Sequence, residues 1–220
     1  QEIEKAPNEP VLTSGMIAVT YDTEDGWVTA DTSAEWYNYD NQMWANAVTV
    51  STEEARTTYK NATPGTPVSM DDINTMWAWI PRYEYQYTDL GTSYAGGTAA
   101  LPGEIKVNFI SQSQTTPSDA SVYKIPDGFK FGEENLSGFW MAKFETSTLE
   151  TCVATDNYID TGCDFTTFTL QVKPNVTSWR GARVSTNFEA SRAMQSSTNA
   201  SKNGFTEVNN GTMDVHMLKN

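Results

Sequence analysis

Apolar residues along this chain alternate with polar ones more often than they recur at helical spacing, and the pattern predicts a β-rich domain with few helices. Residues 1–15, with Pro7, Pro10 and Gly15, read as an extended linker or tether. Beyond it, Ile17, Val19 and Tyr21 alternate into an acidic turn, Asp22 to Gly26, and return through Trp27 and Val28, which predicts a hairpin. Trp36, Tyr37, Tyr39 and Trp44 then precede the β-branched run Val48 to Val50, expected as strand or irregular aromatic wall. Ser69, with Asp72 at the reach-back position and Ile73, Met76 and Trp77 spaced by three and four, predicts a short helix. Three further stretches alternate as strands: MWAWIPRYEYQY with Pro81 at an edge or bulge, EIKVNFI through Ile105, Val107 and Phe109, and GFWMAKFETS through Phe139, Met141 and Phe144. TTFTLQV at 166–172 reads as another strand. Spacing through Ala182, Ser185, Phe188, Glu189 and Arg192 predicts a helix over roughly 184–195.

Length and composition narrow the class. The chain has 220 residues, 38% of them hydrophobic and 12% aromatic, enough for a packed core. Lys plus Arg number 14 against 28 Asp plus Glu, a net charge of −14, which argues against nucleic acid and anionic lipid as partners. No stretch approaches the roughly 18 apolar residues that cross a bilayer. Charged residues are only 19% of the chain, while Thr, Ser and Asn number 30, 17 and 16, the surface composition of an exported protein. Five N-x-Ser/Thr sequons, at Asn61, Asn135, Asn175, Asn199 and Asn210, are close to what so many Ser, Thr and Asn produce by chance. Cys152 and Cys163 share one polar segment and are expected to form a disulfide, the bond of an oxidising compartment; the alternative is two separate thiols.

Catalytic equipment is sparse. The chain has one histidine, His216, near its end, a poor position for a Ser-His-Asp site. Adjacent carboxylates at Asp71 and Asp72, or Glu133 and Glu134, read as solvated turns, and Asp22, Glu24 and Asp25 as an ordinary acidic turn in preference to a Ca²⁺ site. No metal, cofactor or catalytic residue is expected. The aromatics are the dominant feature: Trp77, Trp79, Trp140 and Trp179 read as core, whereas Trp36, Tyr37 and Tyr39, in a polar stretch, are the candidates for an exposed binding patch.

TMWAWIPRYEY, LSGFWMAKFETS and KPNVTSWRGARVSTNFEASR, followed by DVHMLKN, together resemble a family of exported bacterial and prophage-encoded surface proteins, in which these blocks follow pilin-like or fibre-like regions. More remotely, the WIP, GFWMAKFET and VTSWRGA blocks resemble the formylglycine-generating, or sulfatase-modifying factor, family. That resemblance implies an α+β, β-rich, irregular domain of the C-type-lectin-like kind over 16–220; in the surface-protein family a further Trp-containing stretch follows the DVHMLKN-like block, so the fold's last strands are expected to be missing here. The enzymes of that family use two late cysteines, and none follows Cys163 here, so the scaffold carries over and the catalysis does not. The expected function is a non-enzymatic extracellular recognition module on a pilus, fibre or virion. Its partner would be a cell-surface glycan or protein. A self-assembling filament subunit that binds copies of itself, and a sulfatase-modifying enzyme, are the alternatives.

Overall fold

A computed structural model describes residues 9–13, 15–88, 104–150, 164–206 and 213–218. Strands β1 (Ile17–Asp22) and β2 (Gly26–Thr29) form the expected hairpin, with Val19 opposite Thr29 and Tyr21 opposite Trp27. Gly26 closes it at φ 77°, a left-handed conformation that costs glycine nothing. β3 (Asn46–Val50) pairs antiparallel with β1 on one side and with β4 (Ile73–Pro81) on the other. With β9 (Gly138–Ala142) these make a five-stranded sheet in the order β2-β1-β3-β4-β9. Among the described residues, three two-stranded ladders accompany it: β5 (Tyr83–Thr88) with β6 (Glu104–Phe109), β7 (Lys130–Phe131) with β8 (Glu134–Asn135), and β10 (Ser147–Thr148) with β11 (Leu170–Gln171). Among the described residues there are two α-helices, α1 (Glu53–Lys60) and α2 (Val184–Ala193). The class is therefore mixed α and β, β-rich, with antiparallel sheets.

The chain falls into two compact units. One comprises 12–78 and 141–220, the other 1–11 and 79–140. In the first, Ile17, Val19, Val48, Val50, Val68, Ile73 and Met76 form a closed apolar cluster, flanked by Trp27, Ala55, Tyr59 and Met70. Lys143 lies over the Trp27 ring, its Nζ 4.3 Å from the centroid and donating to Asn46 Oδ1 at 2.6 Å. Burial lowers the pKa of this amine. Buried asparagines stitch the rest of the unit: Asn74 Nδ2 donates to Leu170 O, and Leu170 N to Asn203 Oδ1, both at 3.0 Å.

Several expectations need correction. The stretch read as a tether packs at its C-terminal end: Pro10 and Gly15 are buried, and Trp140 Nε1 donates to Val11 O at 2.7 Å. Ser69 begins a single turn, with Asp72 N and Ile73 N both donating to its carbonyl, and the chain then enters β4 without any helix. A helix stands instead at Glu53–Lys60, where the sequence reading placed none; Thr52 Oγ1 caps it by accepting from Ala55 N at 3.1 Å. The strand expected at 166–172 is reduced to the two-residue β11, Leu170–Gln171, preceded by a 3₁₀ turn over Phe165–Thr167. Phe144, expected to alternate inward, is 38% exposed. Trp79 is buried as expected, whereas Trp77, Trp140 and Trp179 are half-buried.

Candidate functional site

The second unit is organised around the WIPRYEY segment. Pro81 ends β4, and at Arg82 the chain changes partners: Arg82 N donates to Ser137 O at 2.7 Å, and Ile110 N to Arg82 O at 3.1 Å. Period-two alternation then sends Arg82 and Glu84 to one face of β5, with Tyr83 and Tyr85 on the other. Both charged residues are buried, 1% and 2% exposed. Arg82 donates from Nε and Nη2 to Gln114 O at 3.3 and 3.0 Å and from Nη1 to Phe129 O at 3.0 Å, and its guanidinium carbon lies 5.8 Å from the Phe129 ring centroid. Glu84 accepts from Ser118 Oγ at 2.5 Å, Ser118 N at 2.7 Å, Asn108 Nδ2 at 3.2 Å and Gln114 Nε2 at 3.3 Å.

Gln114 thus serves both charges, its carbonyl facing the cation and its amide the anion. Burial pushes the Glu84 carboxyl up, but the donors from Ser118, Asn108 and Gln114 outweigh it, and the net direction is down. Desolvation lowers the Arg82 guanidinium from its ordinary value. The network pins the irregular segment 111–136 across β5, and Tyr85 N and O exchange 2.9 Å hydrogen bonds with Lys124 O and N. Tyr83 stacks edge-on against Phe129 at 5.2 Å, and Phe129 against Phe139 at 5.2 Å. Burial, reinforced by Tyr85, raises the Tyr83 hydroxyl.

The neighbouring strand is exposed. Ile105 and Val107 on β6 are 61% and 48% accessible, and Val107 stands directly opposite the half-buried Tyr85, on the same face. The hairpin region therefore buries two charges, Arg82 just before β5 and Glu84 on it, and presents two aliphatic side chains on β6 beside Tyr85 of β5, the reverse of what solubility alone would select. Sequence reasoning treated these residues as ordinary strand positions.

The aromatic patch expected at Trp36, Tyr37 and Tyr39 is not exposed. These residues are only 5%, 8% and 7% accessible, and their rings stack in series, Trp36 on Tyr37 at 5.8 Å, Tyr37 on Tyr39 at 5.2 Å and Tyr39 on Trp44 at 5.6 Å. The polar residues between them are satisfied by a tight turn: Asn38 and Met43 exchange backbone hydrogen bonds of 2.7 and 2.8 Å, and Asn41 N donates to Asn38 Oδ1. That frees the rings to pack together, and only Trp44 stays 42% exposed. Cys152 and Cys163 lie outside the described residues.

In the acidic turn, Asp22 Oδ1 accepts from Glu24 N at 2.7 Å and Asp25 N at 3.0 Å, bonds that hold its carboxyl below the usual range. Among the described residues, no group of three or more His, Cys, Asp or Glu side chains gathers as a metal site. His216 Nε2 lies 3.5 Å from Asp214 Oδ2, and Asp214 also pairs with Arg192, so the imidazole belongs to a surface cluster on α2. Among the described residues no helix is long and apolar enough to cross a membrane. Comparison with family models, with curated proteins and with solved structures returns no match for this chain.

Proposed function

We propose that this chain is a non-enzymatic extracellular recognition module, of the sulfatase-modifying-factor-like variant of the C-type lectin fold, displayed at a cell surface, on a fibre or on a virion. One observation supports the reading most: β6 offers Ile105 and Val107 to solvent beside Tyr85, on a strand held rigid by the buried Arg82 and Glu84. Apolar side chains fixed on a rigid element suit the centre of a contact surface, because little side-chain entropy remains to be lost on binding. The polar, Thr-, Ser- and Asn-rich composition suits an exported setting, and the partner is a cell-surface glycan or protein.

Binding of the intact chain to immobilised glycans and cell-surface proteins tests this. The Ile105→Asp, Val107→Asp double variant should lose the binding of the parent while keeping its thermal midpoint within about 2 °C, since both sites are solvent-exposed. Retention of binding by the folded variant would place the contact surface elsewhere.

A further inference from the structure

The open side of β6 carries an inference that rests on the recognition reading and narrows its partner to a protein. β5 and β6 pair antiparallel over six consecutive residues, from Tyr83 opposite Phe109 to Thr88 opposite Glu104. In such a ladder the residues of a strand alternate between those whose N–H and C=O meet the facing strand and those whose groups point away from it. Tyr85 fixes the phase. Its N–H and C=O are engaged by Lys124, on the side of β5 away from β6, so Tyr85 and Val107 face each other as a pair without mutual hydrogen bonds. The backbone groups of Val107 therefore point outward from the hairpin, and those of Ile105, two residues earlier, do the same.

Among the described residues no strand pairs with β6 on that side, and no backbone hydrogen bond reaches Ile105 or Val107 from it. Proteins ordinarily blunt such an edge with a proline, a bulge or a very short strand. β6 has none of these: its six residues hold no proline, its register with β5 runs without a shift, and Ile105 and Val107 stand exposed beside Tyr85 on one face. Lys106, the charge at its centre, belongs to the opposite face.

We infer that β6 receives an extended segment of a partner protein as a third strand, joined backbone to backbone at Ile105 and Val107. An apolar face alone would admit any apolar partner. Here each of the two residues also directs an N–H and a C=O outward at the two-residue repeat of extended chain, and the group that matches that row is another extended backbone. Main-chain bonds of this kind are indifferent to sequence, so selectivity falls to the side chains. Residues of the incoming segment that stand opposite Ile105 and Val107 share their face and are apolar, and the residues between them are polar.

A capped peptide with the sequence of β6 itself, EIKVNF, has that alternation and serves as the probe. The intact chain is titrated into the peptide, labelled with a dye at one end, and binding is followed by fluorescence anisotropy. Two N-methylated forms are compared with it, one methylated at the isoleucine, valine and phenylalanine nitrogens, the other at the glutamate, lysine and asparagine nitrogens. Only one alternate set of a strand's N–H groups faces its neighbour, so one form should bind about a hundredfold more weakly than the parent peptide and the other within about threefold of it. On the protein side, Val107→Pro removes an outward N–H without breaking a bond to β5 and should weaken binding about tenfold, whereas Val107→Thr keeps that N–H and should stay within about threefold. Circular dichroism checks that both variants are folded. A parent peptide that does not bind, two methylated forms that bind alike, or a folded Val107→Pro variant that binds as the parent does would each overturn strand addition, and the peptide comparison decides even where Val107→Pro fails to fold. The recognition reading is judged separately on the arrays: it stands if the Ile105→Asp, Val107→Asp variant loses binding there while the methylated peptides bind alike, and it falls if that variant keeps the binding of the parent.

Discussion

Burying Arg82 and Glu84 two residues apart costs solvation that only dense hydrogen bonding can offset, and the four donors on Glu84 supply it. The sign of the resulting pH dependence follows from the lowered pKa. The stabilisation is fully present above the ordinary carboxyl value of 4.5 and is lost as pH falls through the folded value. Glu84→Gln should cost about 2 kcal/mol at neutral pH, the scale of hydrogen bonds to a charged group. Its unfolding midpoint should also change less than the parent's between neutral and acid pH. Equal acid sensitivity in the two proteins, followed by urea unfolding, would assign the acid response to other groups. A second position is steric. A Cβ on Gly138 would stand 2.5 Å from the Trp79 ring and from Ile80 O, so Gly138→Ala must displace a Trp that is 3% exposed. Trp79→Ala, which leaves a cavity there, should lower stability by about 3–5 kcal/mol in the same assay.

At the level of elements, the clearest lesson comes from the segment that reads as a helix and folds as a strand. Ile73 and Met76 are three apart, a helical spacing, yet both enter the same apolar cluster from β4. A bulge reconciles the two: Val50 pairs with Ile73 while Thr49 pairs with Thr75, leaving Asn74 as the extra residue. Its side chain, 1% exposed, turns away to Leu170 O. Period-two alternation was legible in the β1–β2 hairpin and in β6, where no bulge intervenes. Helix α1 shows the converse, for its capping threonine, its first-turn acids Glu53 and Glu54 and its terminal Lys60 are local signals that apolar periodicity does not register. Thr52→Ala should therefore cost about 1 kcal/mol, measured by thermal unfolding.

For the whole molecule, composition carried an expectation about setting and none about the position of a site. The exposed face of β6 could not be read from its alternation, because which strand of a hairpin is covered depends on where a distant segment, here 111–136, is pinned. The aromatic cluster at Trp36, Tyr37 and Tyr39 misled for a related reason, since its polar spacers Asp40, Asn41 and Gln42 stay in solvent while those rings pack inward. Charge acts at this scale as well. A chain of net charge −14 repels its copies at long range, so any association between copies must be short-ranged and local.

The separation of roles within one hairpin also makes it a platform for engineering. Folding information sits at the start of β5, in Arg82 just before it, Glu84 on it and the segment they fasten, while β6 presents Ile105 and Val107 with little obligation to the interior. Residues at those two positions can be randomised in a library without touching the anchors, so variants should differ in what they bind before they differ in whether they fold. The WIPRYEY block would then serve as a chassis on which different contact faces can be built.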